Sequence, residues 1–231
     1  MSRMDDHGGE DPSRAYIAHR WCTRIAFGLL AFAGWQAAGA AYLHAKAFVG
    51  QKLLLHAWNA GSDGNPQVKP WPWADTHPVA RLLVPSRGIE LLVLGGASGR
   101  TLAWGPGHLD GSARPGLSGN AIVTGHRDTH FAFLRDLEPG EQIVVENASG
   151  ARTLYRVARQ VIADHRSLRL PAGDDLPMLS LVTCYPFDGT DPATPLRLAV
   201  IAYADAERTI PQVLRSDSRE ADRATPIGNE Q

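Results

Sequence analysis

The sequence contains little cysteine, no surplus of either charge and no Cys-x-x-Cys pair. Its two cysteines are too few for the disulfide framework of a small secreted scaffold. The 23 Lys and Arg residues nearly balance the 24 Asp and Glu residues, so the chain lacks the basic excess that is typical of nucleic-acid-binding proteins. We therefore expect no nucleic-acid partner. The 231 residues suit one ordinary domain together with a tail or an anchor.

One long apolar run, residues 25–43, stands near the N-terminus. Its 19 residues carry no charge, and as a helix they reach the roughly 30 Å of a hydrocarbon core. We interpret the run as a transmembrane anchor, although ten of its positions are Ala or Gly, which insert less favourably than Leu or Ile. Two alternatives stay open: a buried core helix, and a cleaved signal peptide with residues 45–47 as its Ala-x-Ala site.

The charges around this run favour an N-terminus inside the cell. Three basic residues precede it and two follow it: Arg14, Arg20 and Arg24, then Lys46 and Lys52. We interpret the polar residues 1–24 as a disordered cytoplasmic tail, and residues 44–77 as a stalk and linker that Gly and Pro end. The rest of the chain would be extracytoplasmic, either periplasmic or at the cell surface.

Three tryptophans in the stalk and linker have two possible uses. Trp58, Trp71 and Trp73 could lie at a membrane interface, or they could pack against the folded domain. Packing against the domain is the simpler use, and we leave the assignment open.

Residues 78–204 consist of short β-rich runs separated by turn residues. Seven runs are evident, and seven or eight strands fit the segment: VARLLV, IELLVL, NAIVTG, EQIVVEN, ARTLYRVARQVIA, MLSLVTCY and LRLAVIAYA. Two short helical segments, residues 97–104 and 130–137, are too brief to be crossover helices. The pattern predicts an all-β domain, a closed or nearly closed β-barrel. We interpret residues 205–231 as a mobile tail.

Cys184 stands at the end of an apolar run, SLVTCYPF, which stops at a proline. If the chain is exported, Cys22 lies at or inside the membrane, so Cys184 has no disulfide partner within its own domain. Its sulfur is then either a reactive thiol at a strand end or a buried, inert group that acts as a small apolar side chain.

Two other polar residues end or interrupt predicted strands. His126 follows NAIVTG, where it is either a base for a nearby thiol or an ordinary solvated turn residue. Arg197 lies in an otherwise apolar strand, which is costly unless an anion meets its charge. The loop between Cys184 and Arg197 allows their strands to pair, so Arg197 could stabilise an oxyanion there. The alternative is a salt bridge from Arg197 to a loop carboxylate, Asp188 or Asp191.

These segments resemble the sortases, a family of membrane-anchored cysteine transpeptidases. TGHRDTHFAFLRDLEPGE resembles the sortase histidine segment, SLVTCYPF the Thr-Leu-x-Thr-Cys motif, and LRLAVIAYA the strand of the essential arginine. The likeness covers about residues 78–204 and departs from the motif at Ser180, which replaces a threonine. The sequences of these segments are most similar to those of class D sortases and of the related sortase class found in Gram-negative bacteria, class GN.

The resemblance implies a closed eight-stranded sortase-type barrel and a role for each matched residue. Cys184 would be the nucleophile, His126 the imidazole that transfers protons, and Arg197 the contact to the oxyanion and substrate backbone. Thr183 would line the substrate site. Cys184 would cleave a C-terminal Leu-Pro-x-Thr-Gly-like sorting signal after its threonine, form a thioester, and pass the protein to an amine whose identity is unknown. No cofactor and no metal would be required.

Other functions remain open at this stage. A zinc site would use His126 and His130, with His108 or Cys184 as a further ligand. A cysteine peptidase would use water in place of the amine, and a non-catalytic barrel would only bind peptides at the envelope. Calcium could bind near Asp164, Asp174 and Asp175, although their spacing matches no calcium-loop pattern.

Overall fold

The computed structural model describes residues 12–61, 67–172, 176–189 and 194–205, which form two compact units. One unit ends at Val49, and the other extends from Gly50 onward. Helix α1 spans Pro12–Gly61. Among the described residues, its portion Arg24–Gly61 is the one segment long and apolar enough to cross a membrane, by length and composition, and an 18-residue window within it has a mean hydropathy of 1.3. The predicted apolar run, residues 25–43, lies inside it.

The helix begins earlier than the sequence predicted. Residues 12–24 are helical in the structure, whereas their polar composition indicated a disordered tail. Adding a turn to an existing helix costs much less than starting one, so the apolar run that follows can extend the helix into polar sequence. Residues 1–11 of the predicted tail lie outside the described part of the chain.

The second unit contains a closed eight-stranded barrel, as predicted. Its strands are β1 Pro78–Val84, β2 Ile89–Gly95, β3 Gly107–His108, β4 Gly119–Thr124, β5 Gln142–Asn147, β6 Arg152–Asp164, β7 Pro177–Cys184 and β8 Leu196–Ala204. Around the barrel the order is β1-β2-β3-β4-β7-β8-β6-β5. The β2–β3 and β4–β7 pairs are parallel, and the other pairs are antiparallel. Strands β4 and β7 therefore end at the same mouth of the barrel, where β8 begins.

The inward faces of the strands fill the barrel with apolar side chains. In β1 buried and partly exposed residues alternate, which is the period of a strand with one face in the core. In β7 six consecutive residues are buried, which explains why its sequence is largely apolar and does not alternate. The largest fully buried side chains of the barrel are Leu82, Leu94, Phe131, Leu134, Leu137, Ile143, Tyr155, Leu179, Leu181, Leu198 and Ile201.

The stalk tryptophans have different environments. Trp58 is 4% exposed and lies beneath the guanidinium of Arg81, 5.8 Å from the ring centroid. Trp71 packs against Trp104 with 5.0 Å between ring centroids. These two pack against the folded domain, which was the simpler expectation. Trp73 differs from them, since 80% of its surface is exposed.

The short connections also follow the predicted pattern. Helix α2, Gly99–Leu102, falls within the first predicted helical segment, and a 3₁₀ turn, Ala132–Arg135, falls within the second. Asp205, the first residue of the predicted tail, is bonded to the barrel, since its backbone N–H donates to the carbonyl of Leu154 at 2.8 Å. Residues 206–231 lie outside the described residues.

An ion pair joins the β1–β2 connection to the start of β5. Two atoms of the Arg87 guanidinium contact the Glu141 carboxylate, at 2.6 and 3.2 Å. Arg87 also donates to the carbonyl of Asp136, and the Ser86 hydroxyl donates to Glu141 at 2.7 Å. The bonds to Arg87, more than any other cause, lower the pKa of Glu141 from 4.5 to about 2.

We expect the Glu141→Gln substitution to remove part of the acid sensitivity of the fold. The folded-state pKa lies below the ordinary value, so the carboxylate stabilises the fold above pH 4.5, and this contribution is lost as the pH falls toward about 2. The expected cost of the substitution at neutral pH is about 1 kcal/mol, because the pair is bidentate but close to solvent. Thermal unfolding of the parent and the variant at several pH values measures the difference, which should shrink in acid.

The matched control is Glu90→Gln. It removes a carboxylate from a more exposed pair, 3.3 Å from Arg81, and so corrects for the change in net charge. Parallel pH profiles for the parent and Glu141→Gln would contradict the assignment of acid sensitivity to the pair of Arg87 with Glu141.

Candidate active site

The parallel pairing of β4 with β7 brings two of the predicted residues together. Thr124 lies opposite Val182, and the pairing continues beyond the strand, because the backbone N–H of Gly125 donates to the carbonyl of Val182 at 3.1 Å. His126 follows Gly125, and Cys184 is the last residue of β7. The register therefore places the backbone of His126 and that of Cys184 at the same mouth of the barrel.

Cys184 is a free cysteine that is partly exposed to solvent. It ends a strand whose six preceding residues are buried, and the pairing of the strand holds its backbone in the sheet. Of the two possibilities that the sequence left open, the structure favours the accessible thiol over the inert core cysteine. His126 is exposed at the same mouth.

Arg197 lies directly across from Cys184 in the antiparallel β7–β8 pair, as the loop between them predicted. Its Nη1 donates to the carbonyl oxygens of Thr194 and Leu196, at 2.6 and 2.8 Å. No ion pair joins Arg197 to a carboxylate among the described residues, and these include Asp188 but not Asp191. These loop carbonyls fix one nitrogen of the guanidinium and leave the other two outside that contact.

The His126 segment depends on a glycine. An added Cβ at Gly125 would lie 2.8 Å from the ring of Phe131, which is fully buried. The backbone N–H of Phe131 donates to the carbonyl of His126 at 3.0 Å, closing a tight turn. Glycine is therefore required because the Phe131 ring packs directly on this backbone, and the packing fixes where His126 leaves the strand.

His130 lies in the same turn as His126. Burial, and to a lesser degree the charge of His126, holds the pKa of His130 below its ordinary value of 6.5. Its Nδ1 is 3.4 Å from the hydroxyl of Thr129. The neutral form of His130 is therefore favoured at neutral pH, which limits the positive charge at this turn.

Thr183 differs from its expected role. Its side chain is 3% exposed, and its hydroxyl donates to the carbonyl of Gly125 at 2.7 Å. A buried and bonded hydroxyl is not available to line a substrate groove. The contact instead ties the strand of Cys184 to the segment of His126.

The loop after Cys184 contains contacts that sequence reasoning missed. The Thr194 hydroxyl donates to the carbonyl of Tyr185 at 2.7 Å, and the N–H of Tyr185 donates to the carbonyl of Leu196 at 3.1 Å. The Arg135 guanidinium lies over the Phe187 ring, 5.2 Å from its centroid. The aromatic pair in TCYPF was the available signal, since two rings beside a candidate nucleophile need packing partners.

The described part of the chain contains no ligand set for the zinc or calcium sites that the sequence left open. No group of three or more His, Cys, Asp or Glu side chains that could hold a metal ion occurs among those residues. His108 Nε2 lies 2.8 Å from the carbonyl of Ala113, and Asp164 accepts from the N–H of Arg166 at 2.8 Å. Asp174 and Asp175 lie outside the described residues.

Residues that carry a thiol, an imidazole and a guanidinium thus lie at one mouth of the barrel. A thiol beside an imidazole can become a nucleophilic thiolate, because the ring accepts its proton. A guanidinium across the strand pair can donate hydrogen bonds to an oxyanion that forms on an attacked carbonyl. The arrangement is suited to acyl transfer.

Comparisons with known proteins agree with this fold and chemistry. A family model described as a Sortase domain matches residues 82–205. Sortase D of Bacillus subtilis is 30% identical over 106 residues, which cover 46% of this chain and 54% of that protein. The chain therefore spans about half the length of this curated relative.

Solved sortase structures share the same fold. A Clostridium perfringens Sortase D5 transpeptidase matches with a TM-score of 0.54 at 18% identity, covering 68% of this chain and 98% of that one. Sortase A from Corynebacterium diphtheriae matches with a TM-score of 0.51 at 24% identity, covering 67% of this chain and 83% of that one.

Proposed function

The chain belongs to the sortase family, and from this premise we propose that it is a membrane-anchored cysteine transpeptidase. It cleaves a Leu-Pro-x-Thr-Gly-like sorting signal after the threonine and transfers the protein to an amine. The observation that carries the proposal is the direct cross-strand pairing of Cys184 with Arg197 at the mouth where His126 leaves β4.

In the first half of the reaction the thiolate of Cys184 attacks the carbonyl carbon of the substrate threonine. A carbon–sulfur bond forms, and the carbonyl oxygen becomes an oxyanion, which the guanidinium of Arg197 stabilises by hydrogen bonding. His126, as the imidazolium, donates its proton to the leaving amine. The carbon–nitrogen bond then breaks and leaves a thioester on Cys184.

In the second half a primary amine attacks the thioester. His126, now neutral, accepts a proton from the incoming amine, and the oxyanion again lies at Arg197. The carbon–sulfur bond breaks, which releases a new amide and restores the thiolate beside the imidazolium. The same three side chains serve both halves, so no cofactor or metal enters the scheme.

The proposed anchor is the apolar part of α1. Arg24–Gly61 is long and apolar enough to cross a membrane, and basic residues concentrate before residues 25–43. On this proposal the N-terminus is cytoplasmic and the barrel is extracytoplasmic. A sorting signal at the C-terminus of an exported protein would be accessible there.

The likeness to Sortase D of Bacillus subtilis supports a class D-like enzyme. On this basis the protein partners are substrates with a C-terminal sorting signal. For the acceptor, the chemistry specifies only a primary amine, such as a peptidoglycan cross-bridge, a pilin lysine or a partner at the outer envelope.

The test uses the full chain in detergent with a library of Leu-Pro-x-Thr-x peptides and a primary amine. Mass spectrometry is expected to show a cleaved peptide joined to the amine and, in short incubations, a mass increase on the Cys184 peptide. A product that carries only water when amine is abundant would favour a cysteine peptidase. No cleavage of any library member would count against the enzyme.

A further inference from the structure

Arg127, the residue after His126, is a buried arginine with partners in the loop that follows Cys184. Its side chain is 7% exposed. Nη1 donates to the carbonyl of Pro186 at 2.7 Å, and Nη2 donates to the carbonyl of Gly189. Pro186 and Gly189 follow Arg127 by 59 and 62 residues in the sequence, so the guanidinium joins distant segments.

The cost of burying this charge shows that the contact is specific. A buried guanidinium is unfavourable unless its N–H groups are bonded and its charge is met. Among the described residues, the carboxylate of Asp128 lies 3.4 Å from Nε, and its side chain is 71% exposed. The two loop carbonyls accept hydrogen bonds from the buried guanidinium, and both belong to the segment that begins two residues after Cys184.

The other ties between these segments run through the sheet. The Gly125 N–H bonds to Val182, and the Thr183 hydroxyl bonds to the carbonyl of Gly125. These contacts fix the strands up to Cys184. Beyond the end of β7, Arg127 holds the chain on one side and the packing of Arg135 on Phe187 adds a weaker contact.

We propose that Arg127 is a positioning residue, which clamps the loop after Cys184 to the segment of His126 and so sets the approach of the imidazole to the sulfur. The inference rests on the proposed function of Cys184 and His126. Because Arg127 adjoins His126 and holds Pro186 and Gly189, a rotation of either loop moves the other. Lysine, with a single ammonium group, cannot reach two carbonyls in a planar fork.

The test uses the full chain in detergent in a Cys22→Ser background, so that Cys184 is the only thiol. Arg127→Gln and Arg127→Lys are compared with Arg87→Gln, a matched control that also removes an arginine bonded to a loop carbonyl. The measurements are kcat and KM for amide formation, the melting temperature, and the pH dependence of Cys184 alkylation with and without His126→Gln.

Arg127→Gln is expected to lower kcat about 100-fold with a smaller change in KM, because a misplacement of about 1 Å has effects of that size. Arg127→Lys should fall between Arg127→Gln and the parent. In the parent, His126→Gln should change the pH profile of alkylation, whereas in the Arg127→Gln background it should change little. Arg87→Gln should lower the melting temperature and leave kcat and the coupling to His126 intact.

The outcomes separate the two proposals. An inactive parent means that the proposed function is wrong, whatever Arg127 does. An active parent with near-parental kcat and intact coupling in Arg127→Gln means that Arg127 is only structural. If Arg127→Gln fails to fold, Arg127→Lys decides, and full activity with normal coupling in that variant overturns the inference.

Discussion

Replacing Cys184 with alanine is expected to abolish acyl transfer and leave the barrel folded. In the proposed mechanism the sulfur carries the acyl group, so its loss removes the covalent route and should lower kcat about 10⁶-fold. The side chain is partly exposed at a strand end, and its removal should cost about 1 kcal/mol or less in the free energy of unfolding. Peptide ligation and thermal unfolding measured on the same preparation check both parts.

The matched control for this variant is Cys22→Ala, which replaces the other cysteine of the chain. It lies in the N-terminal part of α1 and should keep the parental rate of ligation. Parental cleavage by Cys184→Ala would remove Cys184 from the mechanism and leave a barrel that binds peptides or acts through another group. A loss of activity together with unfolding would show that Cys184 supports the fold.

The strands with strong patterns were predictable from the sequence, and β3 was not. Seven β-rich runs each correspond to a strand in the structure. Each run is long enough to show either the two-residue alternation of a half-buried strand or the continuous apolar sequence of a fully buried one. Strand β3, Gly107–His108, has two residues, too few for any period. It forms because β2 pairs with it on one side and β4 on the other, which is tertiary information.

The candidate site also has one part that the sequence could predict and another that it could not. The pairing of Cys184 with Arg197 could be predicted, since a short loop joins their strands and fixes the neighbour. The approach of His126 requires the parallel β4–β7 pair, which the sequence does not reveal. The bond of Arg127 to the loop after Cys184 spans 59 residues of sequence, so no local pattern could reveal it.

Replacing Arg197 with lysine is expected to lower kcat/KM about 100-fold or more and to preserve the fold. The carbonyls of Thr194 and Leu196 bind Nη1, and the strand register places Arg197 directly across from Cys184, so on the proposed mechanism the rest of the planar fork serves the oxyanion. Lysine keeps the charge, but a point charge held by the same carbonyls has no second arm for the oxyanion.

The measurement that isolates this role is the rate of acylation under single-turnover conditions, compared with the rate of Cys184 alkylation by a neutral reagent. If Arg197 stabilises the oxyanion, Arg197→Lys should slow acylation and leave alkylation nearly unchanged, because alkylation builds no charge on a carbonyl oxygen. Arg81→Lys is the matched control, since it is also a strand arginine, yet it pairs with Glu90 and lies over Trp58. Equal slowing of both reactions would instead assign Arg197 to the reactivity of the thiol, and near-parental acylation would leave Arg197 with only its contacts to the loop.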